Sequence, residues 1–72
     1  MKITFTNGGV ESVITINNDA QFKKFIGELR SILEGSDQFK SASYQQSSYL
    51  DVTVPSDFIR NSIVKVDYSN HA

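Results

Sequence analysis

Hydrophobic and polar residues alternate at both ends of this chain and follow a helical period between them. From Met1 to Ile16 the apolar positions Met1, Ile3, Phe5, Val10, Ile14 and Ile16 are spaced in twos around Asn7-Gly8. That spacing describes a β-hairpin, because Asn-Gly tolerates the positive φ of a tight primed turn. With Asn7 and Gly8 as central turn residues, Phe5 lies opposite Val10, Ile3 opposite Ser12 and Met1 opposite Ile14. All the apolar residues then share one face, with Ser12 as the polar exception. A three-residue loop would shift the register by one and split that face, so the two-residue turn is expected.

From Asp19 to Glu34 the period changes. Phe22, Phe25, Ile26, Leu29, Ile32 and Leu33 fall at i, i+3, i+4, i+7 and mark one apolar face of an amphipathic helix. Asn18 and Gln21 have the spacing of a capping box, and Asp19 suits the positive end of the helix dipole. Gly35 is placed to stop the helix. Gly27, in mid-helix, costs about 1 kcal/mol relative to alanine and is expected on the solvent side. Lys23, Lys24, Glu28, Arg30, Ser31 and Glu34 lie off the apolar stripe and read as a solvated surface of mixed sign.

Residues 38–54 read as a second hairpin with a polar loop around Gln45-Gln46-Ser47-Ser48. Leu50, Val52 and Val54 alternate with Asp51 and Thr53, a half-buried strand that Pro55 terminates. The outgoing strand from Phe39 to Tyr44 has no firm apolar face. Pairing Tyr44 with Tyr49 sets Phe39 opposite Val54, facing the core, and leaves both tyrosines on the other side. Weak patterning marks this as an edge strand whose unpaired backbone groups are available to another strand. Ser56 to Asn61 fits one short helical turn capped by Ser56, with Phe58 or Ile59 plugging the core. Ile63 to Tyr68 forms a last strand, and Ser69 to Ala72 a frayed tail.

These elements predict an α+β fold of order ββαβββ. One small antiparallel sheet of four to five strands carries a single amphipathic helix on one face. At 72 residues the chain is expected to form a single domain, residues 1–72, complete as it stands. A chain this short buries only roughly 60% of its unfolded surface. There is no cysteine, and the lone histidine, His71, has no histidine partner. Disulfide and metal staples are therefore not expected, and oligomerisation is the compensation left open.

Composition narrows the function further. The formal net charge is −1 and there is no basic stripe, which counts against nucleic acid as a partner. No apolar run reaches transmembrane length, and no apolar leader is present, so no membrane is expected and a cytoplasmic setting is. The eight acidic residues are scattered, the ten serines lack a histidine base, and no phosphate-binding or metal-binding spacing occurs. Neither catalysis nor a cofactor is expected. Between Ser36 and Tyr49, however, the chain combines Phe39, Tyr44 and Tyr49 with five serines and Gln38, Gln45 and Gln46. Tyrosine beside small hydrogen-bonding residues is the chemistry of protein-recognition loops. An ordinary edge hairpin carrying two tyrosines is the plainer account.

Tyr44, Gln45, Gln46 and Tyr49 are accordingly the candidate contact residues for another protein. A second copy of the chain, pairing through the Phe39–Tyr44 strand, is the alternative. A further alternative is stacking of single-stranded nucleic acid on Tyr44, Tyr49 and Tyr68.

Overall fold

A computed structural model describes residues 1–68. Strands β1 (Lys2–Asn7) and β2 (Val10–Thr15) form the first hairpin. Helix α1 (Asp19–Leu33) follows, then strands β3 (Ser41–Ser47) and β4 (Leu50–Pro55), helix α2 (Ser56–Arg60) and strand β5 (Ile63–Asp67). The fold is α+β with the expected element order, but the five strands do not form one sheet. They divide into a three-stranded sheet, β2-β1-β5, and a separate two-stranded sheet, β3-β4, both antiparallel. The tail, and His71 with it, lies outside the described residues.

The first hairpin turns one residue later than expected. Asn7 pairs with Val10, Phe5 with Ser12 and Ile3 with Ile14. The central turn residues are Gly8 (φ 59°) and Gly9 (φ 82°), the two positions where positive φ costs nothing sterically. No non-glycine residue, Asn7 included, takes positive φ among those described. The pairing differs from the expected one by two residues along β2, and a slip of two leaves every side chain on the same face. Ile3, Phe5, Ile14 and Ile16 still point to the core. Val10, however, is carried to the turn and is 66% exposed.

Helix α1 starts as its sequence requires. The Asn18 side chain accepts a hydrogen bond from the Gln21 N–H at 3.0 Å, and Gly35 at φ 87° follows the helix end. Phe22, Phe25, Ile26, Leu29 and Ile32 are buried, whereas Leu33, at the edge of the apolar stripe in the last turn, is half exposed. The five buried residues share one core with Ile3, Phe5 and Ile16 of the first hairpin, with Ala42, Tyr44 and Val54 of the second, and with Ile59 of α2. Gly27 faces solvent, with no atom within 4 Å of where a Cβ would stand.

The second hairpin corrects the expected register. Tyr44 opposes Val52 rather than Tyr49, and Ala42, not Phe39, opposes Val54. The strand begins only at Ser41, so Phe39 packs against the core from the preceding loop. Ala42 and Tyr44 supply the inward face, and the Tyr44 ring meets Phe25 edge-on at 5.4 Å. Ser47 pairs with Leu50 across a turn at Ser48-Tyr49, and the register slips between Gln45 and Ser47 so that Gln46 is bulged out.

Pro55, not Ser56, occupies the cap of α2, and the Ser56 N–H donates to the Lys40 carbonyl at 2.9 Å. Of the two candidate plugs it is Ile59 that is fully buried. Phe58 is partly buried and lies 5.7 Å from the Phe5 ring. Among the described residues no helix is long and apolar enough to cross a membrane.

Candidate functional site

The open edge of β3 is closed by side chains of α1. The Ser43 N–H donates to Glu28 Oε1 at 3.0 Å, and the Ser43 carbonyl accepts from Lys24 Nζ at 3.0 Å. One step further along, the Gln45 N–H donates to Gln21 Oε1 at 2.9 Å. Backbone groups point to alternate sides of a strand, so Ser43 and Gln45 are the positions at which β3 faces away from β4. Gln21, Lys24 and Glu28 recur at i, i+3, i+7 and form a polar row beside the apolar stripe. Lys24 and Glu28 also pair with each other at 2.9 Å.

This arrangement corrects two expectations. Lys24 and Glu28 are structural groups rather than part of an idle solvated face. Strand β3 is an edge strand, but the outward N–H and carbonyl of Ser43 and the outward N–H of Gln45 are already taken. The Gln21 side chain is likewise engaged with β3, so only the Asn18 half of the capping box forms.

Of the four candidate contact residues, Tyr44, Gln45 and Gln46 line one cleft and Tyr49 does not. Tyr44 is only 5% exposed, and its burial raises the hydroxyl pKa above the ordinary tyrosine value. Its ring is a core element, unavailable to a flat ligand. No polar side-chain atom is buried without a partner among the described residues, and no hydrogen bond holds the Tyr44 hydroxyl, so the hydroxyl reaches solvent.

Gln45 and Gln46 are exposed and line a cleft of about 420 Å³ together with Tyr44, Thr15, Ile16, Asn17 and Asn18. Tyr49 stands alone at the hairpin tip, 97% exposed, and its neighbour Leu50 is 52% exposed. Tyr68 is engaged elsewhere: its ring meets Phe22 edge-on at 5.7 Å, and its hydroxyl accepts from Arg30 Nη2 at 2.8 Å. The three tyrosines therefore offer no common stacking platform.

The hairpin positions Tyr49 by simple means. Ser48 and Tyr49 occupy the turn, and the Tyr49 N–H donates to Ser47 Oγ at 3.2 Å, which fixes the backbone while leaving the ring unpacked. Exposed amide side chains flank the tip at Gln45 and Gln46. The cleft residues Asn17 and Asn18 were not among the sequence candidates. Adjacent asparagines between two elements are a loop signal, but nothing in the sequence placed them beside Gln45. Leu50, whose place in an alternating strand predicts half burial, instead extends the exposed apolar surface of Tyr49.

Every carboxylate except Glu28 is exposed, and Glu28 is occupied by Ser43 and Lys24. Among the described residues no three histidine, cysteine or acidic side chains cluster to hold a metal ion. Compared with known proteins, the chain matches no family model, no curated protein and no solved structure at a significant level.

Proposed function

We propose that this chain is a small non-catalytic binding module that acts by occupying another protein, and that the tip of the second hairpin makes the contact. The observation that carries this reading is the side-by-side exposure of Tyr49 and Leu50 on a turn held by the Ser47 hydroxyl. A tyrosine freed of all packing costs the domain apolar surface left in water. In a protein contact the same ring supplies a large, rigid anchor with little entropy to lose. The flanking Gln45 and Gln46 amides, beside the cleft lined by Asn17 and Asn18, supply hydrogen-bonding groups of both kinds around that anchor. A chain without cysteine suits the reducing cytoplasm, where we place this activity.

A photoreactive phenylalanine analogue at position 49, expressed in the native host, tests the reading. The expected result is one dominant cross-linked protein that wild-type chain competes away. The same analogue at Asp37, an equally exposed position, should not give that adduct. Identical adduct patterns at the two positions, or no competition, would refute the reading.

A further inference from the structure

Four strand edges border the two sheets, and three of them are defended. Strand β3 is closed by α1 side chains. Strand β4 presents Asp51, Thr53 and Pro55 outward, and proline has no N–H to offer. Strand β5 has only five residues, including the charged Lys65 and Asp67. Strand β2 has none of these protections: six residues, no proline, no register slip and a single charge, Glu11. Exposed edges are normally blunted by such devices, and an unblunted edge invites pairing with another strand. Strand β2 also carries two of the chain's exposed aliphatic side chains, Val10 at 66% and Val13 at 54%.

We propose that β2 pairs antiparallel with β2 of a second copy about a two-fold axis at Val13, joining two three-stranded sheets into one of six strands. The backbone limits the register. The Ile16 N–H donates to the Met1 carbonyl at 3.0 Å, so in the β1–β2 ladder the even positions of β2 bond inward, and Glu11, Val13 and Thr15 point outward. Outward groups must meet outward groups. Two registers do so with equal overlap, one centred on Ser12, which would set Glu11 against Val13, and one centred on Val13. The second sets Val13 against Val13, Glu11 against Thr15, Ser12 against Ile14 and Val10 against Ile16 of the other copy, and it is the one that gives Val13 an apolar partner. Each exposed valine then gains an apolar neighbour.

Charge and coverage both agree with this register. Thr15 pairs with Lys2 on its other side and Lys2 with Asp67, so the partner's Glu11 enters a row in which its nearest charge is Lys2, of opposite sign, with Asp67 beyond it. The first half of β2 is open on its core side, where Val10 and Ser12 are exposed, while the second half is covered, with Ile14 partly and Ile16 fully buried. Antiparallel pairing lays the open half of each strand beside the covered half of the other, so the overlying layers interleave rather than collide. This surface lies apart from Tyr49, although Thr15 also borders the cleft beside Gln45 and Gln46, and a dimer would present two hairpin tips.

Sedimentation equilibrium of the purified chain, up to millimolar concentration, tests the proposal. The expected mass is twice 8.1 kDa. Val13→Pro removes an outward N–H and no ladder bond to β1, and should halve the mass. Thr15→Glu should weaken dimerisation at least tenfold by setting two carboxylates together, and adding Glu11→Lys to it should restore the dimer. Hydrogen exchange should show the Glu11, Val13 and Thr15 amides protected only at dimer-forming concentrations. A wild-type chain monomeric throughout, or a Thr15→Glu dimer as tight as wild type, would overturn the proposal. So would a folded Val13→Pro chain that still dimerises.

Discussion

Removing the Glu28 carboxylate tests the closure of the β3 edge more directly than any core substitution. Glu28→Ala deletes the acceptor for the part-buried Ser43 N–H and the partner of Lys24. A hydrogen bond to a charged group contributes about 1.5–3 kcal/mol, and the lower end applies here because the site is only partly shielded from water. The Lys24–Glu28 pair adds about 0.3–0.5 kcal/mol, since the lysine side chain is half exposed and the attraction is screened. Alanine's better helix propensity returns roughly 0.3 kcal/mol. The net loss is about 1.5 kcal/mol, against a total stability of roughly 4–11 kcal/mol for a chain of this length. In a thermal melt the midpoint should fall by about 6–12 °C. Urea denaturation should show a lower midpoint at unchanged slope. Glu28→Gln keeps an acceptor oxygen and should lose less than half as much. A Glu28→Ala midpoint indistinguishable from wild type would show that water replaces the carboxylate without penalty, and the closed-edge argument would fail.

Leu29→Ala removes a side chain that is 1% exposed at the centre of α1 and should cost about 2–5 kcal/mol by urea denaturation. Gly27→Ala fills open space in mid-helix and should stabilise the chain by roughly 0.5–1 kcal/mol, read as a higher melting midpoint. Because burial raises the Tyr44 pKa, the unfolded chain loses that proton at a lower pH than the folded chain does. The stability Tyr44 contributes is complete below pH of about 10 and declines as pH rises through the folded value. Tyr44→Phe should therefore flatten the alkaline limb of the stability–pH curve, and an unaltered limb would contradict the assignment.

The elements whose signals are local were legible in the sequence. Helix α1 announces itself through six apolar positions, a cap and a stop glycine, and only Leu33 departs from the expected face. The first hairpin was legible as to which residues point inward but not as to pairing. A period-two pattern is unchanged by a two-residue slip, so burial could not distinguish an Asn7-Gly8 turn from the Gly8-Gly9 turn that forms. In the second hairpin the inward face consists of Ala42 and Tyr44, a small residue and one with a polar tip. An apolarity pattern weights both too lightly against Phe39, and the side-chain direction of Tyr44 was lost with it. That error dissolved the expected Tyr44–Tyr49 face, while Gln45, Gln46 and Tyr49 remain at the surface. The division into two sheets depends on how α1 sits beside β3, a long-range fact carried by Gln21, Lys24 and Glu28, residues that look like ordinary solvated helix surface.

That division has a consequence for cooperativity. No backbone ladder joins β3-β4 to β2-β1-β5; the smaller sheet is held by side chains alone, through the α1 polar row and the packing of Ala42, Tyr44 and Val54. The segment from Ser41 to Pro55 is thus expected to open as a local unit before the larger sheet does. Native-state hydrogen exchange should find the β3-β4 amides opening together, at a lower free energy than those shared by β1 and its two neighbours. The hairpin that carries the exposed Tyr49 would then be the part of the molecule that yields first, a recognition element hinged on side-chain contacts rather than built into the main sheet.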